Sequence, residues 1–491
     1  MLLNELLAAA GYRQAESFAD RLVRGICADS RRVREGEIFV ALSGLHHDGH
    51  QHISEALARG AVLIVSERYV TGAPLLVVDS TRAALARLFD AWYGHPARGM
   101  SLIGITGTNG KTSTAAMLAA ILTQAGHRVG VIGTVQVTCC GEVLPTQNDN
   151  HLANLTTPDP AELYELLSRM RARGADIVVM EVTSHALYFE KVAPLHFKRA
   201  LFTNLSPDHL DLHGDMDTYF AEKRKLFLQC EMGVISTFHP WGQMLCDSLD
   251  VPFYTVGSSR VKNVASNGAQ GVSFTLCHEG ENMEISLPVP GDFSVENAAL
   301  AALAARTLGV EAKTIVSALR GFCGVRGRME RIGGENAPVN VFIDYAHTPD
   351  ALEKLLLAVR RFRHAQQRVI LVFGCGGDRD RTKRRKMGRI ATRLADLVIV
   401  TSDNARSEEP RAIIADIVKG IDKEKPYKII EERAAAIAYA VRVANEGDIV
   451  LLAGKGHEEY EIKGRERLYF SEREIVKACL AAREEEKRHE D

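Results

Sequence analysis

Continuous apolar runs and helically spaced apolar positions take turns along most of this chain. Residues 101–105, 177–180, 200–203 and 233–236 are short runs of apolar and small residues, the pattern of parallel strands covered on both faces. Helical spacing intervenes, most clearly over 114–124. From about residue 332 the alternation restarts, with strands predicted at 339–344, 368–373, 397–401 and 449–453 and helices between them. That is a doubly wound sheet, in which ligands gather beyond the carboxyl ends of the strands. Ahead of both regions, the pattern predicts short strands at 38–41, 61–65 and 75–78 and a helix over 80–93, closing at Gly94-His95-Pro96. Residues 274–289 alternate as an antiparallel appendage would, and 295–308 read as a helix.

Composition narrows the picture. At 491 residues the chain exceeds one core, and about 150 residues per domain suggests three. A net charge of −2 gives no electrostatic case for nucleic acid or a membrane surface as partner. No apolar run approaches the roughly 20 residues that span a bilayer. The start, MLLNELLAAAGYRQ, lacks a basic n-region and a cleavage pattern and reads as a short helix. Nine scattered cysteines without a CxxC pair fit the reduced thiols of a cytoplasmic enzyme. The tail 483–491 reads as a solvated helix end.

The strand-like run 101–105 enters a turn, Gly107-Thr108-Asn109-Gly110-Lys111-Thr112-Ser113, and a helix leaves it. Glycines let backbone N–H groups converge on a phosphate, the helix N-terminus adds positive potential, and Lys111 reaches the terminal phosphates. Thr112 is placed to ligate Mg²⁺. Ile105 stands where a longer P-loop has its first glycine, so this is a shorter form. The expected fold is therefore α/β in three domains: residues 1–98, a central P-loop ATPase-like parallel sheet over 99–332, and a Rossmann-like doubly wound sheet over 333–491.

Glu181 ends a buried run and is followed by Val182-Thr183-Ser184-His185, which suits a Mg²⁺ ligand facing a P-loop. Asn204-Leu205-Ser206-Pro207-Asp208-His209-Leu210-Asp211-Leu212-His213-Gly214 is dense in polar ligand types but has no zinc spacing. The cluster His46-His47-Asp48-Gly49-His50-Gln51-His52 invites a metal reading.

Taken in order, GTNGKTS, EVTSHAL, NLSPDHLDLHG, YFAEKRKLF, GVRGRMER, DYAHTPD, FGCGGDRD, SDNAR and AGKGHEEYE resemble the Mur ligase family. The later motifs resemble the branch that adds the third residue of the peptidoglycan stem peptide. The resemblance implies an ATP-dependent, cytoplasmic, monomeric enzyme of cell-wall precursor synthesis using UDP-N-acetylmuramoyl-L-Ala-D-Glu, ATP and Mg²⁺. It implies that Thr112 and Glu181 hold one Mg²⁺ and that His209 and Lys223 hold a second. Lys223 would be carbamylated by CO₂, which turns a cation into the oxygen ligand a hard ion prefers. Asn297 would contact adenine, and Arg328 and Asp344 would lie near the phosphates and ribose. Closure of the last domain on ATP is expected, since the motifs are split between domains.

The same resemblance assigns the nucleotide-sugar substrate to Ser30, Thr156, Thr157, Thr183 and Lys191. Against the metal reading, it implies that Asp48-Gly49-His50 belongs to a loop near that substrate. Leu155 stands where an Asn usually precedes the two threonines, with Asn154 one place back. Phe189 and Lys191 replace the family's Gln and Arg, and Thr183 replaces Ser. For the incoming amino acid it points to Arg384, Asp403, Asn404, Arg406, Gly454 and Glu458. Arg406 argues for meso-diaminopimelate, because guanidinium binds a distal carboxylate through two charge-assisted bonds whereas lysine presents an ammonium there. Ala405 stands where the motif has proline, so the loop loses a fixed φ and is expected to gain flexibility. The alternatives are a lysine-adding ligase, a folylpoly-γ-glutamate synthetase-like ligase, and a nucleotide-dependent binding or switch protein.

Overall fold

The computed structural model describes residues 1–12, 18–44, 48–146, 155–334 and 337–490. The chain packs as two compact units: Met1–Gly257 with Leu300–Val310, and Ser258–Ala299 with Glu311–Asp491. By packing, residues 258–299 and 311–332 go with the second unit, although the sequence groups them with the central region.

The first unit holds two sheets. Gly25–Cys27, Glu37–Val40, Leu63–Ser66 and Leu75–Val77 form a four-stranded parallel sheet in sequential order. Beside it, the helix Thr81–Trp92 starts at Ser80, whose hydroxyl accepts the Ala83 amide. The N-terminal run folds as the helix Leu3–Ala9 and buries Leu3, Leu6 and Leu7.

The larger sheet has eight strands. In spatial order they are Phe253–Val256, Gly233–Ser236, Arg199–Phe202, Ser101–Thr106, Ile177–Glu181, Val129–Ile132, Val137–Cys139 and Glu142–Val143. The first six are mutually parallel, and the last two append as antiparallel strands. Ser101–Thr106 lies between two strands that come later in the chain. The strand order reverses there, which leaves a crevice beyond its carboxyl end.

The second unit is built on a six-stranded sheet in the order Glu330–Ile332, Asn340–Asp344, Ile449–Ala453, Val369–Phe373, Leu397–Val400, Tyr427–Ile429. Only Glu330–Ile332 is antiparallel to its neighbour. The appendage has three antiparallel strands, Val261–Ser266, Val272–His278 and Glu281–Leu287, the first of them ahead of the alternating stretch 274–289. Among the described residues no helix is long and apolar enough to cross a membrane.

Candidate active site

The strand Ser101–Thr106 delivers the chain into Gly107 and Gly110, both at positive φ, and the helix Lys111–Gln124 begins at once. Neighbouring strands hold this loop in place. Asn204 clasps Asn109: its Oδ1 accepts the Asn109 amide at 3.0 Å and its Nδ2 donates to the Asn109 carbonyl at 3.1 Å. Thr203 Oγ1 donates to the same carbonyl at 2.6 Å. The Lys111 ammonium folds over its own loop, 2.9 Å from the Gly107 and Thr108 carbonyls.

Glu181 reaches the start of that helix. Thr112 Oγ1 donates to its Oε2 at 3.0 Å, and the Thr134 amide and hydroxyl donate at 2.9 and 3.0 Å. A Cβ at Gly133 would meet Glu181 Oε1, so a side chain there would displace this carboxylate. A hydroxyl and a carboxylate meeting at the head of a P-loop helix are hard oxygen donors of the kind Mg²⁺ takes. The pair fits that ion. Among the described residues no cluster of three His, Cys, Asp or Glu side chains has metal-binding geometry.

Lys223 lies on the helix Met216–Arg224, is 2 % exposed, and donates to the Gly107 carbonyl at 2.9 Å. Its ammonium sits 4.6 Å from the Tyr219 ring centre. Burial, with the Lys111 charge adding to it, pushes the Lys223 pKa well below that of a free lysine. A neutral amine at this position is the form that reacts with CO₂. His209 caps the short helix Leu210–His213 in the left-handed region, φ 53°, with its ring 4.7 Å from that of His185.

A cleft of about 1260 Å³ opens in the same unit, lined among others by Arg31, Arg32, Arg82, Asp159, Phe189 and Lys191. Lys191 is tied to Asp159 at 2.7 Å, and the Arg82 guanidinium lies 4.5 Å from the Phe189 ring centre. Thr157 donates to the Glu181 carbonyl at 2.9 Å, Thr156 pairs with Thr134, and Thr183 caps the helix Ser184–Tyr188. The Lys191 ammonium lies 3.5 Å from the Thr157 carbonyl, which links the cleft to the Glu181 end of the P-loop region. Ser30 is buried and donates to Glu55 at 2.8 Å, so its hydroxyl is already engaged. His50 is a tie between Asp48 and the Glu67 amide; His46, His47 and Asn154 lie outside the described residues. Arg82 was missed by sequence reasoning because it sits in the first turn of a helix with no motif around it.

In the second unit Asn297 is buried on the helix Asp292–Thr307. Asp344 ends its strand and accepts the Met329 and Ala346 amides at 2.8 and 2.9 Å. Burial raises its pKa against the lowering effect of Arg328. The Arg328 guanidinium lies 4.9 Å from the Tyr345 ring centre.

Asp403 and Asn404 follow the strand Leu397–Val400. Asn404 donates to Glu458 at 2.8 Å and accepts from Lys455 and the Ile462 amide at 3.1 and 3.0 Å. Burial opposes ionisation of Asp403, yet Lys455 and Arg433 hold its pKa at about 2. Burial and the Asp403 charge raise the pKa of Glu458. A Cβ at Gly454 would press on Asp403 Oδ2 at 2.8 Å. Arg406 is left-handed, φ 52°, and Ala405 is buried with its carbonyl seated on Gly377. The loop is thus pinned despite Ala405, contrary to the expected flexibility. Arg384 is fully enclosed and forks onto Glu408 at 2.9 and 2.7 Å.

Three family models cover most of the chain: the Mur ligase family catalytic domain over residues 22–93, the Mur ligase middle domain over 105–305, and the Mur ligase glutamate ligase domain over 327–456. The chain belongs to the Mur ligase family. Within that family it is 41% identical to the UDP-N-acetylmuramoyl-L-alanyl-D-glutamate–2,6-diaminopimelate ligase of Caldanaerobacter subterraneus subsp. tengcongensis, over 94% of this chain and 95% of the relative. It is also 41% identical to the ligase of the same name from Gloeobacter violaceus, over 98% of this chain and 99% of the relative. A solved Mur ligase structure of that name superposes with a TM-score of 0.68 at 29% identity, over 94% of this chain and 95% of the other. The folylpolyglutamate synthase of Mycobacterium tuberculosis shares the fold, with a TM-score of 0.62 at 19% identity over 82% and 94%.

Proposed function

We propose that this Mur ligase joins meso-diaminopimelate to UDP-N-acetylmuramoyl-L-Ala-D-Glu in the cytoplasm, using ATP. The observation that carries the reading is one chain holding the Thr112–Glu181 pair and Arg406 while resembling diaminopimelate-adding relatives along nearly its whole length. The D-glutamyl carboxylate attacks the γ-phosphorus of ATP, and ADP leaves with the bond-pair electrons. The amine of diaminopimelate then attacks the acyl phosphate carbon, loses a proton, and expels inorganic phosphate as the amide forms.

Each group has a task in that sequence. Lys111 and the N–H groups of the Gly107–Ser113 turn bind the phosphates and stabilise charge during transfer. Thr112 and Glu181 would hold one Mg²⁺, and His209 with a carbamylated Lys223 a second. Bound Mg²⁺ neutralises the phosphoryl oxygens. Arg82 and Lys191 offer positive charge to the diphosphate and carboxylate of the nucleotide-sugar in the cleft they line, and Thr156, Thr157 and Thr183 would serve the part of that substrate nearest Glu181. Asn297, Arg328 and Asp344 serve adenine, phosphates and ribose. Arg406 takes the distal carboxylate of diaminopimelate, and Asp403, Asn404, Gly454 and Glu458 form the surround for its distal ammonium.

The test is phosphate release with ATP, Mg²⁺ and the UDP-dipeptide, run with meso-diaminopimelate, with L-lysine and with no amino acid. Release dependent on diaminopimelate is expected. Release with lysine alone overturns the role of Arg406, and amino-acid-independent ATP binding without turnover overturns ligation.

A further inference from the structure

Arg384 is a basic residue of the amino-acid-binding region that no substrate can reach. It is 0 % exposed, its NH1 and NH2 fork onto Glu408, NH1 adds Asp416 at 3.2 Å, and NH2 lies 3.4 Å from the Gly376 carbonyl. Glu408 is shared in turn, since its Oε1 also accepts the Asp378 amide at 2.7 Å. Four more bonds cross between the same two loops. The Gly377 amide donates to the Asn404 carbonyl at 2.9 Å, Arg406 NH1 donates to the Gly377 carbonyl at 2.9 Å, and the Ser407 amide and Oγ donate to the Asp378 carboxylate at 3.1 and 2.6 Å. Asp378 and Arg406, facing each other across this seam, both have left-handed backbones with φ of 52°. For non-glycine residues that conformation is uncommon and persists where surrounding bonds over-determine it.

We propose that Arg384 and Glu408 are positioning residues: they form a strut that fixes the loop 403–408 so that Arg406 is preset for the distal carboxylate of the incoming amino acid. The inference rests on the ligase reading above and adds to it the source of the specificity loop's rigidity. The strut replaces the constraint that Ala405 does not supply. Proline would set φ at one residue, whereas the Arg384–Glu408 fork and the bonds across the seam hold the whole turn. A loop held this way loses little freedom when the amino acid arrives, so affinity and discrimination both depend on it.

The experiment measures kcat and KM for meso-diaminopimelate, for ATP and for L-lysine on the full chain, for wild type, Glu408→Gln, Arg406→Ala and the double variant. Glu408→Gln keeps the side-chain shape and removes the charge that the fork needs. It is expected to lower kcat/KM for diaminopimelate about tenfold, the coupling typical of residues in one hydrogen-bond network. The change should lie in KM, with kcat and KM for ATP nearly unchanged and the preference for diaminopimelate over lysine reduced. In the Arg406→Ala background the same substitution should have almost no further effect, because Glu408 acts through Arg406. A Glu408→Gln enzyme with unaltered KM for diaminopimelate overturns the strut, as does an effect that persists fully without Arg406 or falls equally on ATP. Should Glu408→Gln lose its cooperative melt, Ser407→Ala removes only the hydroxyl bond to Asp378 and leaves the Ser407 amide on the same carboxylate at 3.1 Å. That variant is expected to raise the diaminopimelate KM by a smaller factor, and an unchanged value overturns the proposal. Wild-type protein that releases no phosphate with diaminopimelate defeats the ligase reading itself, and this appears before any variant is compared.

Discussion

Asn204→Ala separates a nucleotide loop that is held ready from one that forms around its ligand. The side chain makes two neutral hydrogen bonds to the Asn109 backbone, at 3.0 and 3.1 Å. Each such bond contributes a net ~0.5–1.5 kcal/mol, and the half-buried setting favours the lower part of that range, so about 1–2 kcal/mol is at stake. The loop does not collapse without them, because Thr203 Oγ1 still donates to the Asn109 carbonyl and the Asn204 carbonyl still accepts the Thr108 amide. The loss should therefore emerge chiefly as nucleotide affinity, weakened about 5- to 30-fold. Titration calorimetry of ATP into the full chain with Mg²⁺ measures it directly, and a melting curve on the same sample reports the stability share. Asn204→Asp should bind more weakly than the alanine variant, since it sets a carboxylate against the Asn109 carbonyl. ATP affinity in Asn204→Ala within a factor of two of wild type would refute the reasoning.

Two further outcomes follow from buried titratable groups. His457 has both ring nitrogens enclosed without a partner among the described residues, and burial, then Arg328 and Arg326, lower its pKa to about 4. On acidification the unfolded chain takes up this proton first, so the stability contributed by neutral His457 is complete above the ordinary histidine value of about 6.5 and is lost as pH falls toward about 4. The fall in melting temperature between about pH 7 and pH 5 should shrink in His457→Asn; an equal fall in both proteins counts against it. Lys223, buried with a depressed pKa, should need CO₂ for its function. Phosphate release is expected to drop in CO₂-stripped buffer and return with bicarbonate, while Lys223→Ala stays inactive in both. Full activity after stripping would remove the carbamate from the mechanism.

Most strands were legible because burial on both faces leaves an unbroken apolar run. Gly233–Ser236 and Ile449–Ala453 occur where the pattern puts them. Val129–Ile132 was hidden because Gly130 interrupts the run, where a Cβ would press on Met170 Sδ at 2.7 Å. Tyr427–Ile429 was hidden because an edge strand exposes Lys428 and Ile429 and loses its apolar signature. The P-loop helix starts at Lys111, ahead of the residue 114 that side-chain pattern alone suggests, because its first turn answers to the glycine before it. Thr112 and Glu181 were legible as donors, and their meeting at 3.0 Å follows from the strand that leads into the P-loop lying beside the strand that ends at Glu181. Arg384 was misleading for a different reason. A guanidinium that binds substrate and one that binds a neighbouring carboxylate look identical in sequence, and only enclosure distinguishes them.

The neighbours of Ser101–Thr106 also set a timetable. The chain writes the nucleotide loop early, but the strand Arg199–Phe202 and the Thr203 and Asn204 side chains that shape it lie about a hundred residues on. At roughly 5–20 residues per second on the ribosome, that strand is synthesised some 5–20 s after the loop. Throughout that interval the nascent chain carries the letters of a phosphate site without its shape. A product terminated before Arg199 would keep every glycine of the motif and bind no nucleotide.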